Sequence, residues 1–179
     1  WFGYHKSFKN LLDKNNTLLS TGILHSTKTL FNLFNIGSTG ENYTADMGFI
    51  NQLDNYDTLR DTTFKIGFYS ISNLSRYTFW TPNNSKTSYH QLGISNEIKY
   101  SHPYGLTEWI TPISYELAFK SSTELEATFN HNFVKLIYPF SFTEEGAPLE
   151  SGSYDFFNFN IEYQSDVRKK FAYGLESNI

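Results

Sequence analysis

The chain predicts an all-β protein, part of an antiparallel transmembrane β-barrel of about nine or ten strands. Three observations lead there. Apolar and polar residues alternate with a period of two over most of the 179 residues. Aromatics are abundant at 18%, with 17 Phe and 13 Tyr, and they gather at segment ends. Charged residues, only 18% of the chain, avoid the apolar side of every clear segment.

In chain order, weaker strand patterns occupy Trp1–Phe8, Thr17–Ser26 and Leu30–Ile36. Phe8 to Lys14 is the one stretch with a helical look, short and uncapped. Clear alternation begins with Tyr43, Ala45, Met47 and Phe49, then Phe64, Ile66 and Phe68. It continues through Leu92 to Tyr100, Trp109 to Phe119, Leu125 to Phe133, Phe157 to Tyr163 and Phe171 to Leu175. Turn-rich separators lie at Gly37–Gly40, Asp54–Asp61, Pro82–Ser85, His102–Gly105, Lys120–Ser122 and Thr143–Gly152. No repeat and no domain boundary interrupts the pattern, so residues 1–179 read as one unit.

Alternation alone suits a soluble sandwich as well as a membrane strand; length and end chemistry discriminate. Soluble strands average about five or six residues. The segment Trp109–Phe119 makes ten steps of about 3.3 Å, and a tilt near 40° projects them to roughly 25 Å, the apolar height of an outer-membrane barrel. Trp109 and Phe119 then fall at the two interfaces, where aromatic rings are favoured. Pro112 lacks a ladder donor and predicts a bulge.

The residues expected to face lipid are Leu92, Ile94, Ile98, Trp109, Ile113, Tyr115, Leu117, Phe119, Leu125, Phe129, Phe133, Phe157, Phe159, Ile161 and Tyr163. The polar lumen face is expected to carry Glu97, Lys99, Glu116, Glu124, Glu126, Asn130, Asn158, Asn160 and Glu162. No run reaches the roughly 18 apolar residues of a membrane helix, which leaves strand crossing untouched. A net charge of -4, spread along the chain, gives no reason to expect nucleic acid. The absence of cysteine excludes a disulfide framework and thiolate chemistry. The chain starts at Trp1 with neither Met nor a signal peptide, so it reads as a mature or excised piece of something longer.

Candidate chemistry is sparse. The five histidines show no metal spacing, and His131, on the apolar face near a segment end, reads as interfacial. No nucleophile has a legible base partner, so neither a catalytic residue nor a cofactor is expected. Asp54–Asp61 is acidic but lacks the spacing and Gly of a calcium loop. Asp57-Thr58-Leu59 and Asp61-Thr62-Thr63 resemble an Asp-Thr-apolar acceptor, making Thr58 and Thr62 candidate O-glycosylation sites. The Asn-x-Ser/Thr triplets at Asn15, Asn42, Asn73 and Asn83 read as composition. Glu116, Glu124 and Glu126 have the look of paired glycosidase carboxylates, but alternate glutamates more often wet a strand. Exposed Tyr and Trp could stack sugars, so a soluble all-β carbohydrate-binding module is the alternative.

Tyr43-Thr44-Ala45-Asp46-Met47-Gly48-Phe49-Ile50 and Tyr163-Gln164-Ser165-Asp166-Val167-Arg168-Lys169 resemble two signatures of a Gram-negative family, domain of unknown function 5916. Trp109–Tyr115 and Phe133–Pro139 fall between them in the family's order. The likeness runs from about Thr17 onward. It departs at Asn51-Gln52-Leu53, where the family has Pro and a basic residue, and the family's amino-terminal carbohydrate-binding-type module has no counterpart. The resemblance implies an outer-membrane location, lipid and other outer-membrane subunits as partners, and a structural or transport and uptake role connected with glycan handling.

Overall fold

The computed structural model describes residues 1–7, 14–44, 54–57, 60–102, 104–141 and 147–179. Their regular structure is entirely β. Nine strands form one sheet, each antiparallel to its neighbours. In order across the sheet they are β1 (Phe2–Lys6), β2 (Thr17–Ser26), β3 (Leu30–Thr39), β6 (Phe68–Trp80), β7 (Thr87–Ser101), β8 (Gly105–Phe119), β9 (Glu124–Leu136), β10 (Gly152–Gln164) and β11 (Gly174–Asn178). A separate hairpin pairs β4 (Asp54–Asp57) with β5 (Thr62–Lys65). The sheet is open: β1 and β11 are its two edges.

Three weak sequence patterns became β1, β2 and β3, and β3 runs on through the expected separator to Thr39. The expected strand from Phe64 to Phe68 is divided at Ile66-Gly67: Phe64 ends in the hairpin and Phe68 opens β6. A Cβ at Gly67 would press on the Thr39 carbonyl and the Glu41 amide, so the chain passes close to the β3 exit there. The strand expected to start at Phe171 begins only at Gly174. The helical stretch at Phe8–Lys14 and the alternation at Ala45–Phe49 lie outside the described residues but for Lys14, which sits in a bend.

No bulge forms at Pro112. It pairs in register with Asn130 on β9, and toward β7 the ladder resumes unshifted from Ile94↔Ile113 to Glu97↔Ile110. Only the rungs between, where Pro112 has no N–H to give, drop out. The register shifts of β7–β8 sit instead at the strand ends, between Thr87 and Tyr89 and between Lys99 and Tyr100. The second leads into the turn closed by Gly105, whose φ of +79° is left-handed backbone open to glycine.

Connections differ sharply between the two ends. At one end they span residues 7–16, 40–67, 102–104 and 137–151; at the other, 27–29, 81–86, 120–123 and 165–173. The long-connection end holds most of the enclosed side chains, among them Ser7, Asn16, Tyr43, Asp57, Ile66 and Ser101. The sheet itself has no second layer among the described residues. Among the described residues the buried hydrophobics are Tyr43, Ile66 and Ala118, and of these only Ala118 belongs to a sheet strand.

Candidate functional site: two opposed faces of one sheet

Cross-strand register assembles the candidate residues into two faces. On the first, His90↔Leu117↔Leu125↔Tyr163 form one row and Leu92↔Tyr115↔Ala127↔Ile161 the next. Then follow Ile94↔Ile113↔Phe129↔Phe159 and Ile98↔Trp109↔Phe133. Phe157 stands opposite His131, and Phe119 closes β8. All fifteen residues expected on the apolar face therefore share one side of the sheet. The face extends over strands whose role was less legible, through Tyr69, Ile71, Tyr77 and Phe79 on β6 and Phe34 and Ile36 on β3.

This face is largely uncovered. Ile113 is 42% exposed, Phe129 44% and Phe157 62%. Asp, Glu, Lys and Arg occur on it only as Lys6, Lys135 and Asp155, all toward the long-connection end. Rings mark both ends. Tyr4, Tyr69, Tyr100 and Phe133 lie toward the long connections, and Tyr77, Phe79, Tyr115 and Tyr163 toward the short ones.

The opposite face is polar and built around small residues. Here Lys99 pairs with Glu108 at 2.9 Å and Glu97 at 3.0 Å, with the Lys99 side chain 11% exposed. Two carboxylates around one ammonium satisfy it where solvent reaches poorly. Asn130 stands opposite Asn158, Asn160 opposite Thr128 and Glu124 opposite Gln164. Glu116, Glu126, Glu162 and Glu176 occupy one unbroken row over β8 to β11. The Tyr89 hydroxyl donates to Glu116 and the Thr128 hydroxyl to Glu126, so each carboxylate gains a neutral donor rather than a cation. No three His, Cys, Asp or Glu converge as a metal site among the described residues.

The first face is not uniformly apolar. Asn73, Asn96, Thr111 and His131 form a polar row across the middle of β6, β7, β8 and β9. Asn96 Nδ2 donates to Asn73 Oδ1 at 3.0 Å, and the Thr111 hydroxyl donates to Asn96 Oδ1 at 2.7 Å. His131 therefore does not stand at a strand end. It sits near midspan, 2.6 Å from the Asp155 carboxylate, with its ring on Phe157 and the edge of Trp109. Alternation assigned Asn96, Thr111 and His131 to this face but carried no signal that Asn73 would join them, because the β6 pattern was not legible as a strand.

Beyond the sheet, the long connections enclose a cleft of about 400 Å³ between the start of β6 and the end of β9, with Tyr56, Phe68, Tyr138 and Phe140 in its wall. Phe64 stacks on Tyr138 at 4.7 Å. Burial, with help from the Tyr104 hydroxyl, pushes the Tyr138 phenol up to about 12. Thr62 opens β5 opposite Asp57 and is half-buried; Thr58 lies outside the described residues.

Comparison of the chain with protein-family models, curated proteins and solved structures returns no match.

Proposed function

We propose that this chain is part of an outer-membrane β-barrel of a Gram-negative bacterium, with the apolar face on acyl chains and the polar face on a water-filled interior. Its role is structural or in transport and uptake, and the resemblance to domain of unknown function 5916 connects that role with glycan handling. The observation that carries the reading is the uncovered apolar face, continuous over nine strands and free of Asp, Glu, Lys and Arg except toward one end. A folded monomer of 20.8 kDa would expose about 8,900 Å², whereas this chain exposes 12446 Å². Both faces of the open sheet share that excess; its apolar part is unfavourable in water by about 25 cal/mol per Å², and contact with hydrocarbon removes that cost.

Strand length, ring placement and connection asymmetry support the same reading. β6 to β10 have 13 to 15 residues each, against the roughly 9–11 a tilted strand needs to cross hydrocarbon. Membrane barrels carry aromatic girdles at both interfaces, with short turns at one end and long loops at the other. Among the described residues no helix is long and apolar enough to cross a membrane.

Extraction decides between this reading and a soluble carbohydrate-binding module. The chain is expected to stay in solution in detergent micelles, to precipitate on their removal and to pass into lipid vesicles. A chain that remains monomeric at high concentration in plain buffer would end the proposal.

A further inference from the structure

The two ends of the sheet carry opposite charge. Connections 27–29, 81–86, 120–123 and 165–173 hold Lys28, Lys86, Lys120, Arg168, Lys169 and Lys170 against a single acid, Asp166. The connections at the other end hold nine Asp or Glu against four Lys or Arg. All six cations are exposed. Arg168 is bound to the Asp166 carboxylate, to which its Nε donates at 2.9 Å and its Nη2 at 3.1 Å. None of the five lysines is paired with a carboxylate among the described residues. Lys28 lies over the Trp80 ring at 5.2 Å, and Lys120 donates to the Pro82 and Asn83 carbonyls. Neither contact cancels a charge.

We infer that this end of the sheet binds anionic phospholipid headgroups, their phosphates seated among the lysines of successive connections. The inference rests on the membrane reading above and adds the class of lipid. The four connections follow one another every second strand, about 10 Å apart, close to the screening length at physiological salt. Their fields therefore overlap. Rings accompany the cations on the apolar side. Tyr163, Tyr173 and Phe171 carry that side past the strand ends, with successive rings 5.9 Å apart. Phe171 is 77% exposed and next in sequence to Lys170. A ring at headgroup level with a lysine beside it that can reach the phosphate is the chemistry of a membrane interface. Glu116, Glu124, Glu126, Glu162 and Glu176 also lie within three residues of these connections, but on the polar face, with the sheet between them and lipid. Among the described residues the apolar face has one carboxylate, Asp155, and it lies toward the other end.

The test is lipid selectivity. The full chain is reconstituted into phosphatidylcholine vesicles containing a trace of spin-labelled phosphatidylglycerol or spin-labelled phosphatidylcholine, and the immobilised fractions are compared. Phosphatidylglycerol is expected to be favoured about threefold to tenfold at low salt, and the preference should fall toward unity near 1 M salt, where the screening length is about 3 Å. Replacing Lys28, Lys86, Lys169 and Lys170 together by Gln should abolish it. Lys14→Gln with Lys65→Gln, at the other end, should leave it intact. Equal immobilisation of both lipids, a preference indifferent to salt, or equal loss in both variants would overturn the inference while leaving the membrane reading standing. Loss of the preference to soluble polyglutamate at matched ionic strength would put an acidic protein on these lysines and overturn it too. Should the fourfold variant fail to insert, the salt series on the unaltered chain decides. An unaltered chain absent from the vesicle fraction removes both readings.

Discussion

Ile113 and Ser114 are neighbours in β8, yet the pleat gives them opposite surroundings. Ile113 lies between Ile94 and Phe129 on the apolar face. Ser114 lies between Gly93 and Thr128 on the polar face, its hydroxyl in the space a Gly93 side chain would fill. A cation on the lipid side of a barrel strand near midplane costs about 2–4 kcal/mol, whereas on the wetted side it remains in water. Ile113→Arg is therefore expected to lose that much stability in vesicles, and Ser114→Arg to change it by less than about 0.5 kcal/mol. Urea titration of vesicle-bound chain measures both, and two equal losses would remove lipid from the apolar face. At this scale the sequence was informative about sidedness and poor about partners. Parity placed Ile113 and Glu116 on their faces without any knowledge of neighbouring strands. It could not say that His131 would meet Asp155, because that contact depends on the β9–β10 register, and nothing local to either residue fixes it.

Elements were legible where one face was apolar throughout. β6 escaped because its centre, Ser72-Asn73-Leu74-Ser75-Arg76, is polar on both sides and offers no alternation to read. In the β4–β5 hairpin, β4 escaped because Asp54-Asn55-Tyr56-Asp57 looks like an acidic loop, while β5 was touched only at Phe64 by an alternation expected to run on to Phe68. Once paired, strands create effects that no single strand announces, and the glutamate row is one. Like charges directly opposite repel, by about 0.2–1 kcal/mol per pair, and Glu126 has a glutamate on either side. Glu126→Gln should accordingly stabilise the sheet by roughly that amount, read as a higher urea midpoint; a lower midpoint would mean that the row is held by cations. The β10–β11 connection yields a pH prediction. The Arg168 guanidinium and then its backbone N–H hold the Asp166 carboxyl below the usual carboxylate range. A depressed folded value means that the contribution is complete above the unfolded value of about 3.9 and is lost as pH falls through the folded one. The Arg168 amide resonance should stay constant from neutral pH down to about 4, move only below it, and lose that step in Asp166→Asn. A midpoint at or above the ordinary aspartate value would contradict the ion pair.

Considered whole, the sheet carries a polarity that single residues and strands do not. Neighbours are antiparallel throughout, so β1 and β11, first and ninth in order, run the same way. They cannot close on each other as an antiparallel pair; closure takes an odd number of further strands between them, giving the even total of single-chain bacterial barrels. That the sheet is open was not legible in the sequence, because alternation reports which side of a strand is apolar and nothing about which strand lies beside it. The polarity also separates the ends: connections 7–16, 40–67 and 137–151 lie at one, with the short 102–104 turn, and connections 27–29, 81–86 and 120–123 at the other, with the nine-residue 165–173. In outer-membrane barrels the long loops are extracellular and the short turns periplasmic. Glu150, exposed in the 137–151 connection, should then face the medium, and Ser121, in the short turn after β8, the periplasm. With no native thiol to interfere, Glu150→Cys and Ser121→Cys can be labelled on intact cells with a membrane-impermeant maleimide. Glu150→Cys is expected to react at once, and Ser121→Cys only after the outer membrane is permeabilised. The reverse pattern would invert the orientation, and equal immediate reaction at both would mean that no bilayer lies between the two ends of the sheet.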